Sequence, residues 1–284
     1  MARDPEIVRP DRLDPLPEPG YSKRDRGDVL VVGGARKTPG AAALTGLGAL
    51  RVGAGRLTLA VAASVAPPLA VAFPEAGVIG LPESPGGSVL GSAAEALADE
   101  VDTDCLVVGP GLDDAEQAGA LLAGLLPLVG ERTRVLLDAY ALGALVHDAD
   151  LARPLAGRLI LTPNSTEAAL LLGRDGGDPA DDLAEVAERF GAVVSGNGLI
   201  VEPDGRVRRV DAGGPGLGTS GSGDVLAGAI AGLVARGAET ATAVCWATFL
   251  HAAAGDRLSA RIGPLGFLAR ELADELPVVL AQST

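Results

Sequence analysis

The sequence predicts an α/β fold: a doubly wound, mostly parallel sheet with helices on both faces and an antiparallel hairpin at one edge. Three observations lead there. The runs DVLVVG, RLTLAV, CLVV, RVLLD and RLIL are continuous, apolar and of strand length, as central parallel strands covered on both faces are. All but RLTLAV run into a glycine-rich or polar turn that opens a helix pattern. Further along, N-G and D-G dipeptides separate AVVSG, GLIVEP and RVRRVDAG, which read as short strands in antiparallel hairpins.

Residues 1–26 read as an extended arm, because Pro5, Pro10, Pro15, Pro17 and Pro19 block regular structure. Asp28 to Gly33 is the first central strand. The turn GGARKTPG and the small-residue helix AAALTGLGALRVGAG connect it to a second strand, Arg56 to Val61, completing a βαβ unit. Cys105 to Val108 leads through GPGLDD into an Ala- and Leu-rich helix ending near Leu128. Arg134 to Asp138 leads to a helix from about Tyr140, and Arg158 to Leu161 leads through TPNSTE into AALLLG. A helix from about Asp181 to Phe190 precedes the hairpins, and the last third, down to the tail GFLARELADELP, is largely helical. No linker or compositional shift interrupts residues 27–284, which are expected to form one domain.

Composition bounds the function. Hydrophobic residues are 48% of the 284, with few aromatics, so the core is built from Ala, Val and Leu. Lys plus Arg number 23 against 37 Asp plus Glu, a net charge of −14 that excludes a general nucleic-acid binder. A phosphorylated ligand is still compatible, held locally by backbone N–H groups. The two cysteines, Cys105 and Cys245, sit in apolar stretches and read as buried thiols of a reducing compartment. With only two histidines, no His/Cys metal site is expected. The charged, proline-rich start is unlike a signal peptide and no run matches a membrane span, so a soluble cytoplasmic protein with no membrane partner is the expectation.

Chemistry concentrates in GGPGLGTSGSGD, Gly213 to Asp224, which opens directly into the apolar run VLAGAIAGLVA. Glycines let backbone N–H groups approach an anion, and a helix start adds unpaired donors and the positive end of the helix dipole. An aspartate there would repel a bound phosphate. One role reconciles the two: Asp224 takes the proton of a hydroxyl as that hydroxyl attacks a phosphoryl group. The plainer alternative is a helix N-cap, where Asp is favoured. GGARKTPG, GPGLDD, DAYAL and TPNSTE fall, like this turn, at expected carboxyl ends of strands, where open α/β sheets bind ligands. Convergence of these turns on one rim favours the chemical reading.

Taken together, DVLVVGGARKTPGAA, ALRVGAGRLTLA, VVGPGL, LLDAYAL, LTPNSTEA, GSGDVLAGAIAGLVARG and GFLARELADELP resemble the NAD(P)H-hydrate dehydratase family of the ribokinase-like superfamily, in order and spacing from about Lys23 to Pro277. The resemblance implies an enzyme that repairs hydrated NADH or NADPH: ADP or ATP phosphorylates the added ring hydroxyl, and phosphate then leaves. It implies Mg²⁺, the nucleotide as co-substrate, and a homo-oligomer such as a tetramer. It makes Asp224 the base, with Gly221, Ser222 and Gly223 holding the transferred phosphoryl group. The stretch Ser195, Gly196, Asn197, Gly198 and Leu199 aligns with the family's nucleotide-binding segment. Ala41 and Gly111 line the hydrated-nicotinamide side by the same resemblance, and Asn164 joins Asp224 as a substrate contact.

The chain departs from the family pattern in three places. Ser195-Gly196 stands where a Lys-Gly pair is usual, and no lysine follows Lys37. Asn164 replaces a histidine in Thr162-Pro163-Asn164-Ser165-Thr166-Glu167. This N-x-x-E form resembles small-molecule kinases of the superfamily, where it organises Mg²⁺ and phosphate through water. Asn164 and Glu167 are therefore candidate metal contacts, and equally an N-cap with its capping box. Tyr140 takes an acidic position, leaving Asp138 to order water and metal or to cap the next helix. Two alternatives stay open: a ribokinase-like kinase of a small hydroxymethyl compound, or a catalytically impaired nucleotide-binding paralogue.

Other residues have plainer expectations. His251 reads as a satisfied core or interface histidine and His147 as a solvated loop residue. Trp246 and Phe249 share a helix face and suit packing, while Arg208 and Arg209 read as exposed strand charge.

Overall fold

The computed structural model describes residues 5–284; residues 1–4 of the expected arm lie outside them. The apolar runs become the central strands β2 (Asp28–Val32), β3 (Arg56–Ala62), β5 (Cys105–Val108), β6 (Arg134–Leu137) and β7 (Leu159–Leu161), all paired in parallel. Alternate residues of each strand feed two cores. Val29 and Val31 of β2 face one side with Leu57, Leu59 and Val107, and Leu30 and Val32 face the other with Leu106, Val108 and Leu137. The first core is closed by α1 (Pro39–Arg51), α7 (Ser222–Ala235), α8 (Thr240–Arg261) and α9 (Ala269–Ser283). The second is closed by α3 (Ala115–Leu125), α4 (Tyr140–His147), α5 (Ser165–Leu172) and α6 (Pro179–Phe190). Both faces are thus covered, as expected.

The ten-stranded order is β1-β10-β9-β8-β7-β6-β5-β2-β3-β4, where β4 is Gly77–Leu81, β8 Ala192–Gly196, β9 Leu199–Val201, β10 Val207–Arg209 and β1 Glu6–Ile7. Strands β8, β9 and β10 form the expected antiparallel hairpins. One more strand lies outside them, because β1 pairs in parallel with β10. The arm therefore holds regular structure that its prolines argue against: β1, then a 3-10 turn at Pro10–Arg12 with proline in its first turn, where a missing N–H costs nothing. It is tied down further by Trp246 Nε1 donating to the Asp14 carbonyl at 2.9 Å and Arg236 donating to the Pro17 carbonyl. Strand β4 and helix α2 (Ala66–Ala72) complete the other edge.

The chain runs out from β2 in both directions, with β3 and β4 on one side and β5 to β7 on the other. This topological switch point opens a crevice between the carboxyl ends of β2 and β5. Beside it, α1 and α7 run in the same sense and unusually close together. A Cβ built at Gly228 would lie 1.9 Å from the Thr45 carbonyl oxygen, and one at Gly232 would lie 2.5 Å from that of Ala49. Only glycine fits at these contacts, and the result is two helix N-termini side by side at one end of the sheet.

Candidate active site

The turns leaving β2 and β5 are zipped together. Gly34 N donates to the Pro110 carbonyl and Ala35 N to that of Gly111, both at 2.8 Å; the Thr38 hydroxyl also donates to Gly111 O at 2.7 Å. A Cβ at Gly111, where φ is +76°, would meet the Thr38 carbonyl at 2.3 Å and the Ala41 methyl at 3.1 Å. Ala41 and Gly111, seventy residues apart in sequence, therefore form one smooth wall of the crevice.

The glycine-rich turn delivers α7 differently. Gly221, with φ +87°, is the N-cap, so the capping alternative for Asp224 does not hold: Asp224 is the third residue of the helix. The amides of Gly223 and Asp224 find no acceptor among the described residues, whereas Ser222 N donates to the Thr219 carbonyl. Nothing stands within 4 Å of a Cβ built at Gly223. The turn is therefore open where a Gly223 side chain would stand, next to these free N–H groups, which are what an anion cradle requires. Asp224 Oδ2 lies 3.7 Å from a Cβ built at Gly221, so the carboxylate stands over the turn. Burial pushes its pKa up to about 6.

A second carboxylate stands behind it. Asp138, at the end of β6, is 9% exposed and accepts from the Thr162 hydroxyl at 2.8 Å. Burial drives its pKa up to about 7 against that hydrogen bond, and the charges of Asp224 and Glu167 add to the rise. Asp138 does not cap the next helix. That N-cap is Ala139, a non-glycine residue held at φ 49°, ψ −124°, which is strained backbone at the rim of the crevice.

Asn164 is the N-cap of α5, and the capping box is complete. Its Oδ1 accepts from the amides of Thr166 and Glu167 at 2.9 and 3.0 Å, and Glu167 Oε2 accepts from Asn164 N at 2.9 Å. This leaves one Glu167 oxygen and the Asn164 amide nitrogen outside the box. Glu167 is half-buried, and its pKa is raised by burial. Among the described residues no three His, Cys, Asp or Glu side chains come together as a metal cage. The one free carboxylate oxygen of Glu167 suits an ion that keeps its waters and takes the rest of its ligands from phosphate, as Mg²⁺ does, whereas the Asn164 amide nitrogen is no ligand for it.

The segment from Ser195 to Leu199 reaches the same rim through its backbone. Asn197 (φ 53°) and Gly198 (φ 75°) form the tight turn between β8 and β9, and Asn197 Nδ2 donates to the Ser165 hydroxyl at 2.7 Å. A Cβ at Gly196 would press on the Pro163 carbonyl at 2.5 Å, so this turn packs directly on TPNSTE. Leu199 is buried in the sheet. The Ser195 hydroxyl points away from the rim into the core, 3.1 Å from that of Thr248, and leaves no side chain to substitute for the usual lysine.

Sequence reasoning missed the role of α8. Thr248, His251 and Asp256 lie on one of its faces and reach Ser195, Ser222 and Gly213 respectively. The polar residues Thr248 and His251 within its apolar stretch from Val244 to Ala254 were the available signal. His251 is indeed a satisfied core histidine, while His147 is exposed as expected but closes α4 rather than sitting in a loop. Arg208 departs from expectation: it is half-buried and ion-paired with Glu202 and Glu6, whereas Arg209 is exposed and paired with Asp211.

The NAD(P)H-hydrate dehydratase family model matches residues 29–278. The ADP-dependent (S)-NAD(P)H-hydrate dehydratase of Xanthomonas campestris pv. campestris is 44% identical over 276 residues, which cover 95% of this chain and 93% of that protein. The chain spans about half the length of the bifunctional NAD(P)H-hydrate repair enzymes that it also matches. Among solved structures, the Bacillus subtilis ADP/ATP-dependent NAD(P)H-hydrate dehydratase co-crystallised with ATP and Mg²⁺ superposes with a TM-score of 0.80 at 27% identity, covering 100% of both chains. A ribokinase-like superfamily protein of Enterococcus faecalis shares the fold, with a TM-score of 0.83 at 22% identity over 98% of this chain and 96% of its own.

Proposed function

The chain belongs to the NAD(P)H-hydrate dehydratase family, and from that premise we propose that it restores hydrated NADH or NADPH to the reduced cofactor, using ADP or ATP. The observation that carries the site assignment is the start of α7, where the amides of Gly223 and Asp224 find no acceptor among the described residues, the turn is open at Gly223, and a half-buried carboxylate stands beside them. Asp224 accepts the proton of the added ring hydroxyl while that oxygen bonds to the terminal phosphorus and the nucleotide leaves with its own oxygen. The ring carbon–oxygen bond then breaks, phosphate departs with the bonding pair, and a proton lost from the adjacent ring carbon leaves the restored double bond.

Gly221 to Gly223 hold the transferred phosphoryl group, with the Ser222 amide already engaged by Thr219 and the Asp224 amide contributing in its place. The wall of Ala41 and Gly111 takes the hydrated nicotinamide, with Asn164 at its far side. The backbone of Ser195 to Leu199 borders the co-substrate. When bound, Mg²⁺ would screen phosphate charge; the Glu167 oxygen left outside the capping box would accept from its waters, with Asn164 holding Glu167 in place, and Asp138 is a further buried carboxylate of the same rim. With no lysine at Ser195, that screening falls to the metal and the amides. Residues 27–284 form the catalytic domain, the described part of the arm, residues 5–26, buttresses it, and the protein works in the cytoplasm as a homo-oligomer such as a tetramer. No helix among the described residues is long and apolar enough to cross a membrane. The test is recovery of reduced-cofactor absorbance from NADH or NADPH hydrate by the purified protein with Mg²⁺ and ADP or ATP. No recovery with either nucleotide, or a stable phosphorylated product without elimination, refutes the reading.

A further inference from the structure

Helix α8 grips the glycine-rich loop at both ends. At the start, the Asp256 carboxylate accepts from Gly213 N through both oxygens at 3.1 Å. At the end, His251 Nε2 lies 3.0 Å from the Ser222 carbonyl oxygen and 2.9 Å from the Ser222 hydroxyl. Between these anchors, Leu217 of the loop packs on Gly255, where a Cβ would come within 2.6 Å of it. One turn earlier on the same face, Thr248 meets Ser195.

The chemistry of the His251 contact is fixed by its partner. A carbonyl oxygen only accepts, so this contact calls for a hydrogen on Nε2, and burial, which disfavours the charged ring, makes that the neutral Nε2–H tautomer. The single N–H is shared between the Ser222 carbonyl and hydroxyl oxygens, and the hydroxyl keeps its own proton. His251 is 7% exposed, and burial holds its pKa down at about 4. It therefore remains a neutral donor throughout the range in which Asp224 acts as a base.

We propose that His251 is a positioning residue for phosphoryl transfer: by pinning Ser222 from the core side, it fixes where the free amides of Gly223 and Asp224 and the Asp224 carboxylate stand. The proposal rests on the reading of the α7 turn as the phosphoryl cradle. Ser222 is the residue of the cradle whose amide is engaged within the turn, by the Thr219 carbonyl, and whose side chain is buried, so anchoring its carbonyl and hydroxyl sets the neighbouring N–H groups without a side chain entering the crevice.

The test compares His251→Met, which keeps the volume but removes the donor, with His251→Gln, whose amide N–H reaches to a similar distance. His251→Met is expected to lower kcat by about tenfold or more with little change in the nucleotide KM, the signature of an interaction used in the transition state. His251→Gln is expected to recover most of that loss, although both variants lose thermal stability together. Unchanged kcat in His251→Met, or equal impairment of the two variants in step with their stability, overturns the proposal. An independent readout is the imidazole ¹⁵N spectrum of the wild-type protein. A neutral Nε2–H ring at neutral pH supports the assignment, and an Nδ1–H or charged ring overturns it, whether or not the protein proves active on the hydrate.

Discussion

Two glycine-rich turns start two neighbouring helices at the same end of the sheet, and only one of them sets two adjacent free amides beside a carboxylate. At α1, Pro39 brings no N–H, the Thr38 hydroxyl is engaged by Gly111, and Ala41 N returns to the Thr38 carbonyl, which leaves Gly40 N as a single amide without an acceptor among the described residues and with no carboxylate in the turn. At α7, the amides of Gly223 and Asp224 stand free beside a carboxylate whose proton affinity burial has raised. The first turn is a wall and the second a cradle. Glycine content does not separate them; what separates them is where each turn's hydrogen bonds go.

The sharpest break in that contrast is Asp224→Asn. It should slow the chemical step by roughly 10²–10⁴ while leaving nucleotide affinity nearly intact, measured by single turnover and by calorimetry. In the wild type, kcat/KM should rise with pH up to about 6, as Asp224 loses its proton, and this limb should vanish in the variant.

Asp138→Asn probes the carboxylate behind the cradle through stability. Its folded pKa of about 7 lies above the 3.8 of a free aspartate, so the native state binds the extra proton and loses stability as pH climbs between the two values. The asparagine variant should gain up to ~4 kcal/mol at pH above that window and nothing below it, read from urea unfolding at low and high pH. Gly228→Ala drives a methyl into the Thr45 carbonyl and should cost roughly 1–3 kcal/mol by parting α1 from α7. The smallest effect belongs to the wall: Gly40, with nothing within 4 Å of its Cβ, should accept alanine with turnover unchanged and a gain of up to about 1 kcal/mol.

Much of this was legible in the sequence, for identifiable reasons. Strands β2, β5, β6 and β7 announce themselves because burial on both faces demands unbroken apolar runs. Strand β4 does not: GVIGL carries two glycines and lies at an edge, and β1 is two residues whose pairing with β10 is purely long-range. At the site, GSGD and N-x-x-E are local signals, and the capping box at Asn164 formed as the spacing implied. The inward turn of Ser195, the ion pairs of Arg208 and the anchoring by His251 and Asp256 depend on partners far away in the chain. No local pattern states which helix a hydroxyl or an imidazole will meet.

The side-by-side helix starts also bear on how a charged nucleotide arrives. Their positive ends act only within about a turn of the helix, whereas the net charge of −14 is felt out to the Debye length, about 8 Å at physiological ionic strength. A polyanionic nucleotide is therefore repelled on approach and held only after contact. Its association rate should rise with added salt, opposite to an electrostatically steered encounter, with much less change in its dissociation rate. The surface charge then acts as a kinetic filter, and longer polyanions such as nucleic acid meet the greater repulsion.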